Sequence, residues 1–147
     1  MRRMGRWTDW LDIPKAISKD GPLGGRYGLY RLQIVRHSRG QRPQAVRIGR
    51  LVGWDTEGIL YIGRSGFRRG GSRDIANRID EFTRGHHSAG ERFKNLHSTF
   101  PQSRFKLQAS GLSIEIGHIR KAEASALQKY IRIHRELPPL NNNQPHR

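Results

Sequence analysis

The stretch Leu60-Tyr61-Ile62-Gly63-Arg64-Ser65 decides how the rest of the chain is read. With Ile59 before it, it reads as a strand that runs into a glycine turn, with arginine just beyond. Period two puts Tyr61 and Ile59 on one face, Leu60 and Ile62 on the other. An earlier segment repeats the idea. Gly28-Leu29-Tyr30 opens a strand with Tyr30, Leu32 and Ile34 on one face and Arg31 and Gln33 on the opposite one. Two tyrosines on paired strands, set among arginines, point to a site that handles phosphate.

Bulk composition narrows the partners. A chain of 147 residues fits one domain with a short extension. Its 34% of apolar residues supports a modest core, and no run approaches the roughly 18 apolar residues of a membrane helix. Met1-Arg2-Arg3-Met4-Gly5-Arg6 is basic, but no apolar signal core follows it. An intracellular, cytoplasmic protein with no membrane partner is expected. The absence of cysteine removes disulfides, thiolate zinc sites and cysteine nucleophiles. Twenty-eight Lys and Arg against 12 Asp and Glu gives 28 − 12 = +16, carried mostly by Arg. A planar guanidinium donates two parallel hydrogen bonds to phosphate, so nucleic acid is the expected partner. A basic structural protein, such as a ribosomal component, would carry the same charge.

Residues 1–25 read as a basic, helical N-terminal arm. Thr8 is placed to cap a short helix carrying Trp7, Trp10 and Leu11, and Pro14 to open a second that Gly21-Pro22 ends. The tryptophans are expected to pack this arm on the domain, stacking on bases being the other reading. A first strand over about 27–36 is followed by a polar, basic loop at 37–44. Residues 45–52 alternate apolar with basic, and Trp54-Asp55-Thr56-Glu57-Gly58 then turns into Ile59-Leu60-Tyr61-Ile62, a hairpin signal. Whether 45–52 joins the main sheet or forms a side hairpin stays open at this level.

Residues 66–71 read as a loop with Arg68 and Arg69 at its tip. Ser72 or Asp74 then caps a helix to about Thr83, with Ile75, Ile79 and Phe82 as its apolar stripe and Arg78 at the edge of the core. After Gly85, Ser88 and Glu91 form a capping box for a helix that buries Phe93, Leu96 and Phe100. Phe105, Leu107 and Ala109 alternate, and after Gly111 so do Leu112, Ile114 and Ile116, giving one or two strands. A last helix over about 121–135 has a broad apolar face: Ala126, Tyr130, Ile133 and Leu137 on one line, Leu127, Ile131 and His134 on the next. Pro138-Pro139 ends it, and 144–147 form a short tail. No internal repeat or low-complexity segment occurs.

Among the acids, Glu123 is the one that shares a helical line with core residues, Leu127 four positions on and Tyr130 seven. A carboxylate aimed that way must be paired or bind a cation, because leaving it bare costs several kcal/mol. An Arg–Glu ion pair is the plain structural reading of it. Glu115 falls on the polar face of its strand, and Asp55 and Glu57 belong to a turn. Taken singly, Tyr30 and Tyr61 are ordinary strand residues, Arg78 a salt-bridge residue and Asn141 a turn residue after Pro-Pro. Their order along the chain gives them weight together.

In that order the residues resemble the GIY-YIG endonuclease superfamily. Its paired triplets are matched by Gly28-Leu29-Tyr30 and Tyr61-Ile62-Gly63, its helix arginine by Arg78 in Asn77-Arg78-Ile79-Asp80, its glutamate by Glu123 in Ala122-Glu123-Ala124, and its closing asparagine by Asn141. The resemblance covers about 26–143. It implies an α+β fold with a small, mainly antiparallel three-stranded central sheet flanked by helices, here with an inserted hairpin and the N-terminal helical arm. Three departures stand out. The triplets are far apart (61 − 30 = 31 residues) where compact members use a short hairpin. The gap from Glu123 to Asn141 is long, and a shifted alignment puts Gln128 at the metal position. Where some members carry a histidine one turn after the helix arginine, this chain has Phe82, with His86 or His87 in the following loop as substitutes.

The resemblance further implies hydrolysis of a DNA phosphodiester with one divalent cation, Mg2+ or another such as Mn2+. Glu123 would hold the metal, Arg78 would stabilise developing charge, Tyr30 would be the general base, Tyr61 would orient water or phosphate, and Asn141 would brace the site. Nearby arginines and the cation would favour the Tyr30 phenolate. Arg64, Ser65, Arg68, Arg69, His86 and His87 are placed to contact nucleic acid, DNA ahead of RNA. A restriction, phage, mobile-element or defence nuclease is expected, a dimer if it is a restriction enzyme. The alternative is a non-catalytic basic module of the same fold that holds DNA or RNA.

Overall fold

In the computed structural model, which describes residues 5–38, 40–68, 71–85 and 104–141, the architecture is α+β with a mostly antiparallel sheet. Strand β2 (Gly28–Arg36) is its centre. Strand β9 (Phe105–Ser113) pairs with β2 along its whole length, from Gly28↔Ser113 to Arg36↔Phe105. On the other side β6 (Ile59–Arg64) runs from Leu29↔Arg64 to Gln33↔Ile59, with a register shift between Leu32 and Gln33. Two two-residue strands extend this three-stranded core to five: β1 (Leu11–Asp12) on β9, and β3 (Gln44–Ala45) on β2 beyond the end of β6.

Helices cover both faces. On the face of Tyr30, Leu32, Tyr61 and Ala109 lies α2 (Ile75–Thr83), which buries Ile75, Ala76, Ile79 and Phe82. Asp74 caps it, one carboxylate oxygen accepting from the Asn77 N–H at 2.8 Å and the other from the Gly25 N–H at 2.9 Å. On the opposite face α3 (Ile119–His134) packs Ala126, Leu127 and Tyr130 against Ile59 and Ile62. Its apolar face is narrower than the sequence suggests. Ile131, well off the line through Ile119, Glu123, Ala126 and Tyr130, is exposed, and so is Ile133 in the last turn.

Residues 5–25 belong to the domain and are not an arm outside its core: Leu11, Ala16 and Leu23 are buried in the main core. Thr8 caps no helix; its N–H donates to the Gly111 carbonyl and its hydroxyl accepts from the Gly111 N–H, laying the segment along β9. Pro14 does open a short helix, α1 (Ile13–Ala16). Trp7 and Trp10 pack on the domain, each with its ring under the Arg31 guanidinium, at 4.4 and 4.5 Å.

The insertion between β2 and β6 splits in two. Residues 44–45 join the main sheet, while β4 (Ile48–Gly49) pairs with β5 (Trp54–Asp55) in a separate two-stranded ladder. Asp55 is more than a turn residue. It is buried, accepts from the Glu57 and Ile59 N–H groups, and takes the Tyr130 hydroxyl at 2.7 Å. The expected loop at 66–71 is a hairpin of β7 (Gly66–Arg68) and β8 (Gly71–Arg73). Phe105 to Ser113 is one strand, and Ile116 begins a 3-10 turn, Ile116–His118. The helix expected after Ser88 lies outside the described residues. Among the described residues no helix is long and apolar enough to cross a membrane.

One row across the sheet explains two glycines. Tyr30 stands between Gly63 on β6 and Gly111 on β9. A Cβ on Gly63 would lie 2.5 Å from the Tyr30 Cζ, and one on Gly111 would lie 2.5 Å from the Leu23 Cδ2. The Tyr30 ring occupies the space that a side chain at 63 would need. Gly63→Ala is therefore expected to destabilise the fold by about 1–3 kcal/mol through overpacking. Gly117→Ala, where a Cβ meets nothing within 4 Å, should leave the thermal midpoint within the small range of a surface change. Thermal denaturation of the two variants checks this, and equal midpoints would contradict the packing argument.

Candidate active site

A cleft of about 840 Å3 opens beside β6, between α2 and the start of α3. Strand β6 contributes Tyr61 and Arg64, β8 contributes Arg73 and α2 contributes Arg78. The first turns of α3 contribute Arg120 and Glu123, and Ile116 and Gly117 form part of the wall. These groups come from positions 61 to 123, brought together because two helices straddle one sheet edge.

Tyr30 lies behind this wall. Its side chain is fully buried, its ring centroid is 5.9 Å from that of Tyr61, and Tyr61 in turn packs at 5.1 Å on Phe82. The Tyr30 hydroxyl meets no regular hydrogen-bond partner among the described residues. Burial pushes its pKa well above the ordinary phenol value; the neighbouring Tyr61 and the Glu123 charge push the same way, while Arg78 pulls down. Desolvation outweighs the pull of Arg78, so with no cation bound burial favours the protonated phenol of Tyr30. That Arg78 and Glu123 both act on it places all three in one electrostatic neighbourhood.

Arg78 sits where its place beside the apolar stripe predicts, with 11% of its side chain exposed. Its Nη1 donates to Glu81 Oε2 at 2.6 Å and its Nε to the Arg64 carbonyl at 3.4 Å. The other Glu81 oxygen holds Arg73 at 2.7 Å. Glu81, Arg73 and Arg120 were not singled out from sequence. The one available signal was the three-residue spacing of Arg78 and Glu81 on a helix; the contribution of β8 needed the fold.

Glu123 faces the sheet side of α3 with a quarter of its side chain exposed, and Oε1 is 3.9 Å from Arg64 Nε. Gln128, the alternative metal position, is exposed and is not part of the cleft wall. Asn141 does not enter the cleft. Its amide accepts from the Ile62 N–H at 3.0 Å and donates to the Ile62 carbonyl at 2.8 Å, while the Leu140 N–H donates to the Leu60 carbonyl at 2.9 Å. The chain after α3 thus finishes the open edge of β6, the strand that carries Tyr61.

Ser65, expected to touch nucleic acid, is buried. Its hydroxyl accepts from the Gly28 N–H at 2.8 Å and donates to the Gly28 carbonyl at 3.2 Å, tying the two motif strands together. Arg68 lies on β7, and Arg69, His86 and His87 lie outside the described residues. Phe82 is fully buried. Among the described residues no group of three or more His, Asp or Glu is arranged to hold a metal. Comparison with known protein families, with curated proteins and with solved structures finds no match to this chain.

Two measurements follow from the tyrosines. Tyr30→Phe removes a buried hydroxyl that has at most an irregular bond to Tyr61, so stability should change by no more than about 1 kcal/mol; a larger loss in a thermal melt would mean that the hydroxyl is well satisfied. Tyr130 also has its pKa raised, by burial first and then by its bond to Asp55. Both tyrosines bind their protons more tightly folded than unfolded. Their contribution is therefore complete below the unfolded phenol pKa of about 10 and is lost as pH rises above it. Of the four tyrosines, Tyr30 and Tyr130 should show phenolate absorbance only when alkaline unfolding occurs.

Proposed function

We propose that this chain is a divalent-cation-dependent endonuclease of the GIY-YIG type, hydrolysing phosphodiester bonds in DNA. The observation that carries the reading is the convergence of one carboxylate, Glu123, with Arg64, Arg73, Arg78 and Arg120 in a single cleft that also exposes Tyr61. The antiparallel pairing of the Gly28-Leu29-Tyr30 and Tyr61-Ile62-Gly63 strands, with helices on both faces, supports the same assignment.

The donor set suits a hard cation. Glu123 offers carboxylate oxygen, and a partly open cleft leaves room for water and phosphate oxygens to complete a shell. A bound Mg2+ would supply the charge that activates water and offsets negative charge on the phosphate. The protein's own contribution is positional. Glu81 holds the Arg78 and Arg73 guanidiniums, fixing the direction of donors that a phosphate would meet. Tyr61, in the cleft wall, orients water or phosphate. Tyr30, kept protonated at rest by burial, has a hydroxyl proton to offer from below.

One observation favours the second reading, a binding module that does not cut: Glu123 already has Arg64 as a neighbour at 3.9 Å. Incubating the protein with supercoiled plasmid separates the two. Under the nuclease reading, magnesium gives nicked and linear DNA, and EDTA or Glu123→Gln abolishes cutting. Arg78→Ala should lower kcat by about 100- to 1,000-fold. Intact plasmid with retarded mobility in magnesium would establish the binding module instead, and an RNA substrate run in parallel tests the choice of DNA.

A further inference from the structure

The insertion between β2 and β6 ends in an apolar tip that the cleft does not use. Leu51, Val52 and Trp54 are 76%, 51% and 58% exposed. The tip is nevertheless held firmly. The Leu51 N–H donates to Glu136 at 2.6 Å, and the Val52 N–H donates to the His134 carbonyl at 3.4 Å. Arg50 pairs with Glu136 and donates to the Leu137 carbonyl, and its own N–H closes the turn onto the Gly53 carbonyl at 3.0 Å. Trp54 lies over Gly49, where a Cβ would be 3.5 Å from the ring, and the Arg47 guanidinium stacks on its indole at 4.9 Å. Large apolar side chains exposed on a backbone held in this way mark a surface that meets a partner.

Charge selects that partner. Arg47 at the tip, Lys129 and Arg132 on α3 and Arg135 just after it are exposed, and Glu136 is engaged by Arg50. A second copy of the chain would set +16 against +16. Duplex DNA suits both features, since phosphates attract the guanidiniums and stacked base pairs admit an apolar wedge from the minor groove. Reach agrees. Glu123 and His134 are 134 − 123 = 11 positions apart on one helix, roughly 16 Å at the helical rise, or about five base-pair steps.

We propose that Leu51 and Val52, flanked by Trp54 and Arg47, form a rigid wedge that enters the minor groove of the same duplex whose backbone occupies the cleft. The inference rests on the reading that the chain acts on DNA, and it adds a duplex requirement and a bend in the bound DNA. Full-length Glu123→Gln protein in EDTA keeps the DNA intact, so binding is measured apart from cutting. The probes are a duplex carrying a donor and an acceptor dye at its ends and a single strand of the same sequence.

The expected result is increased energy transfer on binding, from a bent duplex. Adding Leu51→Ser and Val52→Ser should abolish that increase and weaken duplex binding about tenfold. Single-strand affinity and the salt dependence should stay unchanged, because the phosphate contacts remain. Both residues are exposed, and an unchanged thermal midpoint certifies the fold. Retained bending and affinity in the double variant would overturn the wedge. So would a shift from dimer to monomer in sedimentation with duplex affinity unaltered, which would make the tip a contact between copies. Wild-type protein that bends DNA but never cuts it keeps the wedge and removes the nuclease; protein with no affinity for the duplex removes the wedge.

Discussion

A phenol ring laid across a glycine is the constraint on which this structure depends. Tyr30, near the start of the central strand, has room because Gly63 beside it has no side chain. The same row ends in Gly111, which admits Leu23 and so brings the N-terminal segment into the core. Ser65 and Gly28 then bind each other reciprocally and hold the ends of β2 and β6 in register. With that register set, Tyr61 faces Phe82, Arg64 faces Glu123, and the cleft follows.

The electrostatics of the cleft are a competition between burial and charge. Four guanidiniums surround it, and two carboxylates, Glu81 and Glu123, offset part of their charge. Glu81 holds two arginines and stands behind them, so the pair is aimed and not merely neutralised. Arg64 Nε approaches Glu123 Oε1 to 3.9 Å. Behind both, burial outweighs the pull of Arg78 and keeps the Tyr30 proton in place. Surface positive charge and a buried neutral phenol coexist because they sit on opposite sides of the cleft wall.

Helix α3 has a different partner at each end. Its first turns carry Arg120 and Glu123 into the cleft, and its C-terminal end clamps the inserted hairpin through Glu136 and the His134 carbonyl. Tyr130, between the two, bolts the helix to Asp55 at the base of that hairpin. The insertion is therefore tied into the domain through the helix that carries the carboxylate.

Local pattern was enough for much of this. Period-two alternation showed where β2, β6 and most of β9 run, although Ile59 packs with Ile62 and not with Tyr61, and 3.6-residue spacing with Ser72 or Asp74 as cap showed α2. These are properties of neighbours along the chain, which sequence carries directly. What the sequence left open depends on contacts between distant segments. It could not split residues 44–55 between two ladders, nor turn Thr8 from a helix cap into a tie to Gly111. It could not turn Ser65 from a phosphate contact into a bond to Gly28, nor bring Arg73 and Glu81 to Arg78. Burial, too, is a property of the assembled fold. Only the packing of α2 and β6 around Tyr30 could decide that its phenol stays protonated, because desolvation depends on every group that excludes water and not on the residues beside it in the chain.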